Sequence, residues 1–289
     1  MIKVYHIFFK NSILICDIIL KGDRPVNIYQ GLNEITRYID NHLEEEISYE
    51  VLSKIVGVNS YTLQRLFTMI AGITLSDYIR KRRLSKAGYD LYMKQEKVMD
   101  VAIKYGYENA TSFSRAFEKY HGIKPSLVSH ETKLKNFPRI VFPEDIFFTT
   151  DLNYEIIELN EMHLYGLGIS TSEETIHTDA PSFFRKTEDT YLEAYGKVKF
   201  GMITYDLDRE ESQKYYCLYD QEISGFERIV IPKSKWLLFH LDSQEPQKIQ
   251  ALSSKFYKEF LPSTSYQLRE LPELEYYHDG MTDFLVAIE

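Results

Sequence analysis

The feature that most restricts this 289-residue chain is one pattern used twice. Residues 51–71 read VLSKIVGVNSYTLQRLFTMIA and residues 101–121 read VAIKYGYENATSFSRAFEKYH. Each is a short apolar helix, a turn holding one glycine (Gly57, Gly106) and a second helix with an Arg two residues before a Phe. A short helix, a glycine turn and a second helix define a helix-turn-helix. Apolar residues at helical spacing extend the prediction. Leu32, Ile35, Ile39 and Leu43 form a leading helix, Ser48 precedes the next as N-cap, Ile73 to Met93 connects the units, and Gly122 and Pro125 end the second.

The formal charge of -9 argues against a partner of polyanions, but it is unevenly placed. Residues 134–289 hold 28 acidic against 15 basic side chains, whereas residues 31–133 hold 13 against 15. Such asymmetry suits a nucleic-acid module joined to a different module. Within each second helix the apolar face is spoken for. Leu63, Leu66, Phe67 and Ile70 leave Tyr61, Thr62, Gln64 and Arg65 as exposed candidates. Phe113, Ala116, Phe117 and Tyr120 leave Ala110, Thr111, Ser114 and Arg115. Gln and Arg can read adenine and guanine edges through paired hydrogen bonds in the major groove. Arg80, Lys81, Arg82, Arg83 and Lys86 are the densest basic cluster, suited to phosphate contact or to an ordinary solvated face.

Both units and their connector resemble the DNA-binding domain of the AraC/XylS family. The resemblance implies an all-α double helix-turn-helix domain over residues 28–133 that binds promoter DNA, with the candidates above facing it and RNA polymerase as a further partner.

Beyond an expected linker at 134–152, marked by Phe137-Pro138 and Phe142-Pro143, the texture becomes β-rich. The runs EIIEL, HLYGLGI, KVKFGMITY, YYCLY, ERIVI, KWLLFHL, YQLREL, LEYYHD and DFLVAIE alternate with two helical stretches, Pro181–Tyr195 and Gln247–Phe260. Their order predicts a duplicated strand-strand-helix-strand-strand α+β domain over 153–289. Strand alternation puts Glu273, Glu275 and Tyr277 on one face and Leu274 and Tyr276 on the other. A carboxylate on a buried face wants a cation, and aromatic rings such as Tyr205, Tyr219, Trp236 and Tyr277 can hold one by cation–π contact. This half resembles the GyrI-like effector-binding domain, on GFERIVIPKSKWLLFHLDS and FLPSTSYQLRELPELEYYHDG, although the chain ends DFLVAIE where that family often has an aromatic-Ile-Pro run. The resemblance implies a multidomain regulator whose effector is a lipophilic or cationic small molecule bound around Glu275.

The alternatives are a hydrolase, which some relatives of GyrI-like domains resemble, and a protein-interaction module. No G-x-S-x-G, H-E-x-x-H, phosphate loop or metal-spaced His/Cys set supports an enzyme, a cofactor or a metal. Two cysteines, Cys16 and Cys217, make no disulfide framework and point to a cytoplasmic chain. Residues 4–20 are apolar, but Lys10, Asn11 and Asp17 interrupt them, so an N-terminal extension (1–27) is expected rather than a membrane span.

Overall fold

The computed structural model describes residues 28–143, 152–172, 175–205 and 213–289. The expected extension 1–27, Cys16 and positions 144–151 of the linker lie outside the described residues.

Among the described residues, six α-helices make the first half: α1 (Ile28–Asn41), α2 (Tyr49–Val56), α3 (Ser60–Ala71), α4 (Leu75–Tyr89), α5 (Val98–Lys104) and α6 (Ala110–His121). The two turns are built alike. Gly57 (φ 76°) and Gly106 (φ 80°) take the left-handed conformation that a Cβ would strain. Asn59 then caps α3, accepting from the Thr62 amide at 2.7 Å, and Asn109 caps α6, accepting from the Ser112 amide at 2.8 Å.

The connector departs from the expected Ile73–Met93 helix. It starts at Leu75, capped by Thr74, and after Tyr89 widens into a π-helical turn, Asp90–Lys94. That turn carries buried Asp90, which pairs with Lys94 and Lys104 at 2.8 and 2.6 Å and accepts from Tyr105 at 2.8 Å, tying the connector to α5. The first part of the expected linker is not a free tether. Asn33 exchanges two 2.8 Å hydrogen bonds with the Phe142 backbone, and the Phe142 ring is buried against Tyr29 and Phe67.

The second half holds β1 (Glu155–Leu159), β2 (Met162–Thr171), α7 (Ile176–Tyr195), β3 (Phe200–Tyr205), β4 (Gln213–Tyr219), β5 (Glu227–Ile231), β6 (Ser234–Leu241), α8 (Pro246–Lys255), β7 (Glu273–His278) and β8 (Met281–Ile288). This is the expected duplication. All pairs are antiparallel, in the order β1-β6-β8-β7-β3-β4-β2-β5. The order is a palindrome under exchange of the two units, with β3–β7 at its centre. The units also trade first strands, since β1 pairs with β6 of the second unit and β5 with β2 of the first.

One face of this curled sheet buries Leu164, Phe200, Met202, Leu218, Trp236, Leu238 and Leu274 among other strand side chains and Leu271. The other face carries α7 and α8. Helix α7 begins five residues before Pro181, the expected start. A proline has no N–H for the carbonyl four residues back. That carbonyl, of His177, accepts instead from Gln250 Nε2 on α8 at 3.4 Å.

The expected strand YQLREL is not one. It makes a single bridge, Leu268 to Ile288, because its backbone is bonded to α3. The Leu268 amide donates to Thr62 Oγ1 at 2.8 Å, the Leu268 carbonyl accepts from Asn59 Nδ2 at 2.9 Å, and the Leu271 carbonyl accepts from Tyr61 at 3.3 Å. Beneath these bonds one apolar core runs from Leu32, Leu66 and Phe67 to Phe256, Phe260, Leu268 and Phe284.

Candidate effector cavity and DNA-facing helices

A cavity of about 450 Å³ lies between the central strands and the two helices of the second half. Its floor follows from register. Glu273, Glu275 and Tyr277 alternate onto the helix-covered face of β7, while Leu274 packs in the opposite core. Beside them stand Ile203 and Tyr205 of β3, Tyr215 of β4 and Phe284 of β8. Phe184 of α7, Ile249 of α8 and Met69 of α3 complete the apolar wall.

Glu275 is the chemical centre. It accepts from the Tyr277 hydroxyl, which lies 3.3 Å from that of Tyr215. Its side chain is half-buried and lines the cavity. Burial is the largest influence on its carboxyl, whose pKa it pushes up; the Tyr277 hydrogen bond offsets part of this, Glu273 adds to it, and the result is about 7. Among the described residues Glu275 makes no ion pair. The room around it comes from Gly201, a residue the sequence did not single out. A Cβ there would stand 2.6 Å from Tyr277 Oη and 2.8 Å from Glu275 Oε2.

Of the expected ligand-contact residues, the structure brings Glu275, Tyr277 and Tyr205 together and places two elsewhere. Trp236 has the wrong parity on β6. Leu237 and Phe239 face the helices, so Trp236 is buried on the far side with Leu238 and Leu274. Tyr219 has the right parity but sits at the far end of β4, packed near Tyr195 and Phe226 under the end of α7. Cys217 is also buried there, and burial pushes its thiol up to about 12, far from a reactive thiolate.

The helical half is asymmetric. On α6, Thr111 and Arg115 are exposed and Ala110 and Ser114 half-buried, as the amphipathic pattern requires. On α3 the expected exposed face is covered. Thr62 and Arg65 are 0% exposed, and Tyr61 and Gln64 are half-buried. Arg65 Nη2 meets Glu273 Oε1 at 2.5 Å, and its guanidinium lies 3.2 Å from the Tyr205 ring centroid and 4.7 Å from that of Tyr257. Glu273 also accepts from Tyr257 and, at 3.2 Å, from Tyr205. Periodicity within α3 showed which face its own half buries and carried no information about the second half docking on the other.

The basic cluster divides. Arg82 is not a phosphate ligand here. It is 6% exposed, bonded to both oxygens of Asp40 at 2.8 and 2.9 Å and to the Phe137 carbonyl. Arg80 and Lys81 are partly exposed and pair with Asp77. Arg83 donates to the carbonyls of Leu43 and Glu45 at 2.9 and 2.6 Å.

Comparison with known proteins finds two family matches along the chain. Residues 52–130 match the helix-turn-helix domain family and residues 152–286 the GyrI-like small molecule binding domain family. The transcriptional activator AarP of Providencia stuartii is 35% identical over 96 residues, covering 33% of this chain and 71% of AarP. The regulatory protein SoxS of Escherichia coli K12 is 32% identical over 99 residues, 34% of this chain and 92% of SoxS. The regulator YbfP of Bacillus subtilis is 23% identical over 180 residues, 62% of this chain and 58% of YbfP. Among solved structures, SAV2435 bound to tetraphenylphosphonium aligns with 48% of this chain and 94% of its own at 14% identity and a TM-score of 0.42.

Fold, site and relatives together define a transcription regulator with a helix-turn-helix DNA-binding domain and a GyrI-like small-molecule-binding domain. The chain belongs to the AraC family of regulators. No helix among the described residues is long and apolar enough to cross a membrane.

Proposed function

We propose that this chain is a one-component, sequence-specific regulator, dividing near 28–133 and 153–289, that answers a lipophilic cation held in the cavity around Glu275. The observation that carries the reading is the half-buried Glu275 carboxyl in an aromatic cavity, without a cationic partner among the described residues. A bound cation supplies that partner, and tyrosine faces add about 0.5–2 kcal/mol each by cation–π attraction. Ala110, Thr111, Ser114 and Arg115 of α6 meet base edges, and Tyr61, Thr62, Gln64 and Arg65 are the matching set on α3. Arg80 and Lys81 approach phosphates, and RNA polymerase is the partner at the promoter. The chain works in the cytoplasm.

The test is a selection of bound DNA from a random library, with and without a panel of hydrophobic cations, followed by calorimetry of the active cation on the Glu275→Gln variant. A selected sequence whose binding responds to the cation, and loss of cation binding in the variant, are expected. Unchanged cation affinity in Glu275→Gln overturns the assignment of the site.

A further inference from the structure

The α3 residues with the chemistry to read bases are the same residues that hold the second domain. Arg65 ends on Glu273, the Tyr61 hydroxyl on the Leu271 carbonyl, and Thr62 Oγ1 on the Leu268 amide. Asn59, at the head of the helix, is clamped by Gln267 at 2.7 Å, by Leu268 and by Glu289 at 2.8 Å. A helix lies in a major groove only when that face is bare, so the conformation described here cannot read DNA with α3.

Glu273 lies on both sides of this contact. One oxygen takes Arg65, and the carboxylate also lines the cavity two residues from Glu275 on the same strand face. At this end two carboxylates line the cavity, and behind Glu273 a guanidinium outside the lining lies against the rings of Tyr205 and Tyr257. The chain's own Arg65 occupies the place of an aromatic-stacked cation. It is also incompletely satisfied: its Nε and Nη1 are buried without a hydrogen-bond partner among the described residues. Guanine offers such a side chain two acceptors in one plane.

We infer that cavity and operator compete for Arg65, so that a cation seated on Glu273 and Glu275 releases α3 and raises operator affinity. This rests on the cation-sensing reading above and names its regulation. A ligand acts only through its different affinity for two states. Here the difference is concrete, since the docked state has Glu273 engaged and the released state offers both carboxylates. The coupling is reciprocal, and DNA strengthens cation binding by the same factor as the cation strengthens DNA binding.

The experiment uses the full chain, a DNA duplex selected in the presence of tetraphenylphosphonium, fluorescence anisotropy at fixed salt, and triphenylphosphine oxide as the neutral comparator. Wild type is expected to bind the duplex about tenfold or more tightly with the phosphonium and unchanged with the oxide. Glu273→Gln is expected to bind that tightly without ligand and to lose the response. Should that variant fail to show a cooperative melt, Gln267→Ala combined with Glu289→Ala carries the test. It loosens the Asn59 clamp from outside the cavity and is expected to raise operator affinity while still binding the phosphonium. Unchanged or weaker DNA binding in a folded variant, with wild type binding both duplex and phosphonium, overturns the inference and leaves the function standing. Failure of wild type and variants alike to select any sequence, or to bind the cation, removes the function and the inference with it.

Discussion

Gly201 lies directly across from Glu275 in the β3–β7 ladder, and the missing side chain of the one makes space for the carboxylate of the other. Gly201→Ala would press a methyl group between Glu275, Tyr277 and Tyr215. It is expected to weaken cation binding at least tenfold, about 1.4 kcal/mol, in a calorimetric titration. Binding of the selected duplex without cation should stay within about twofold.

The raised pKa of Glu275 predicts that cation binding at the proposed site depends on pH. A cation that needs the ionised carboxylate should lose affinity about tenfold for each pH unit below about 7 and reach a plateau above it. Titrations between about pH 5 and pH 9, roughly two units on either side of the folded pKa, check this, and Glu275→Gln should flatten the profile.

The same shift fixes the sign of a stability effect. With the folded pKa raised to about 7 from the ordinary glutamate value of 4.5, the folded protein holds a proton that the unfolded chain has lost between those values. Stability therefore falls as pH rises through that window and levels off above 7. Glu275→Gln is expected to stabilise the unliganded protein by about 3 kcal/mol at pH 8 and little at pH 4, read from denaturant melts.

Arg65 and Arg115 hold equivalent places in their units and should differ when truncated. Arg115 is exposed, so Arg115→Ala should cost about 1–3 kcal/mol of sequence-specific DNA binding and leave the melting temperature unchanged. Arg65→Ala leaves Glu273 buried without its cation and should destabilise the unliganded fold by about 3–5 kcal/mol. The double variant with Glu273→Gln should lose less than the two single losses combined, the mark of a direct pair.

Arg82 sits in the basic cluster, yet its bonds to Asp40 and Phe137 make it a brace. Arg82→Ala should lower stability by a similar 3–5 kcal/mol and leave the salt dependence of DNA binding unchanged. A slope reduced by about one in an otherwise stable variant would return it to the phosphate contacts.

Local physics made most of this architecture legible. Glycine turns, helical stripes and alternating strands gave the two helical units, the duplicated sheet and the shared face of Glu275 and Tyr277, because each depends on neighbours a few residues away. The misses depend on partners far off in the chain. The segment YQLREL has strand composition, but Thr62, Tyr61 and Asn59, some 200 positions earlier, take its hydrogen bonds. Trp236 looked like a ligand aromatic until pairing fixed which parity of β6 meets the helices. Gly201 carried no signal, since its meaning is an absent Cβ opposite a carboxylate on another strand.

The exchange of first strands between the two sheet units bears on how the protein is made. Strand β8 is the last strand among the described residues, yet it lies inside the sheet between β6 and β7, so no subset of the strands before it forms the finished surface. A ribosome therefore delivers the helical units well before Leu268 and Glu273 have a platform to stand on. For that interval α3 of a newborn molecule stays bare, and it is covered once β7 and β8 have paired and the Leu268 segment reaches Thr62.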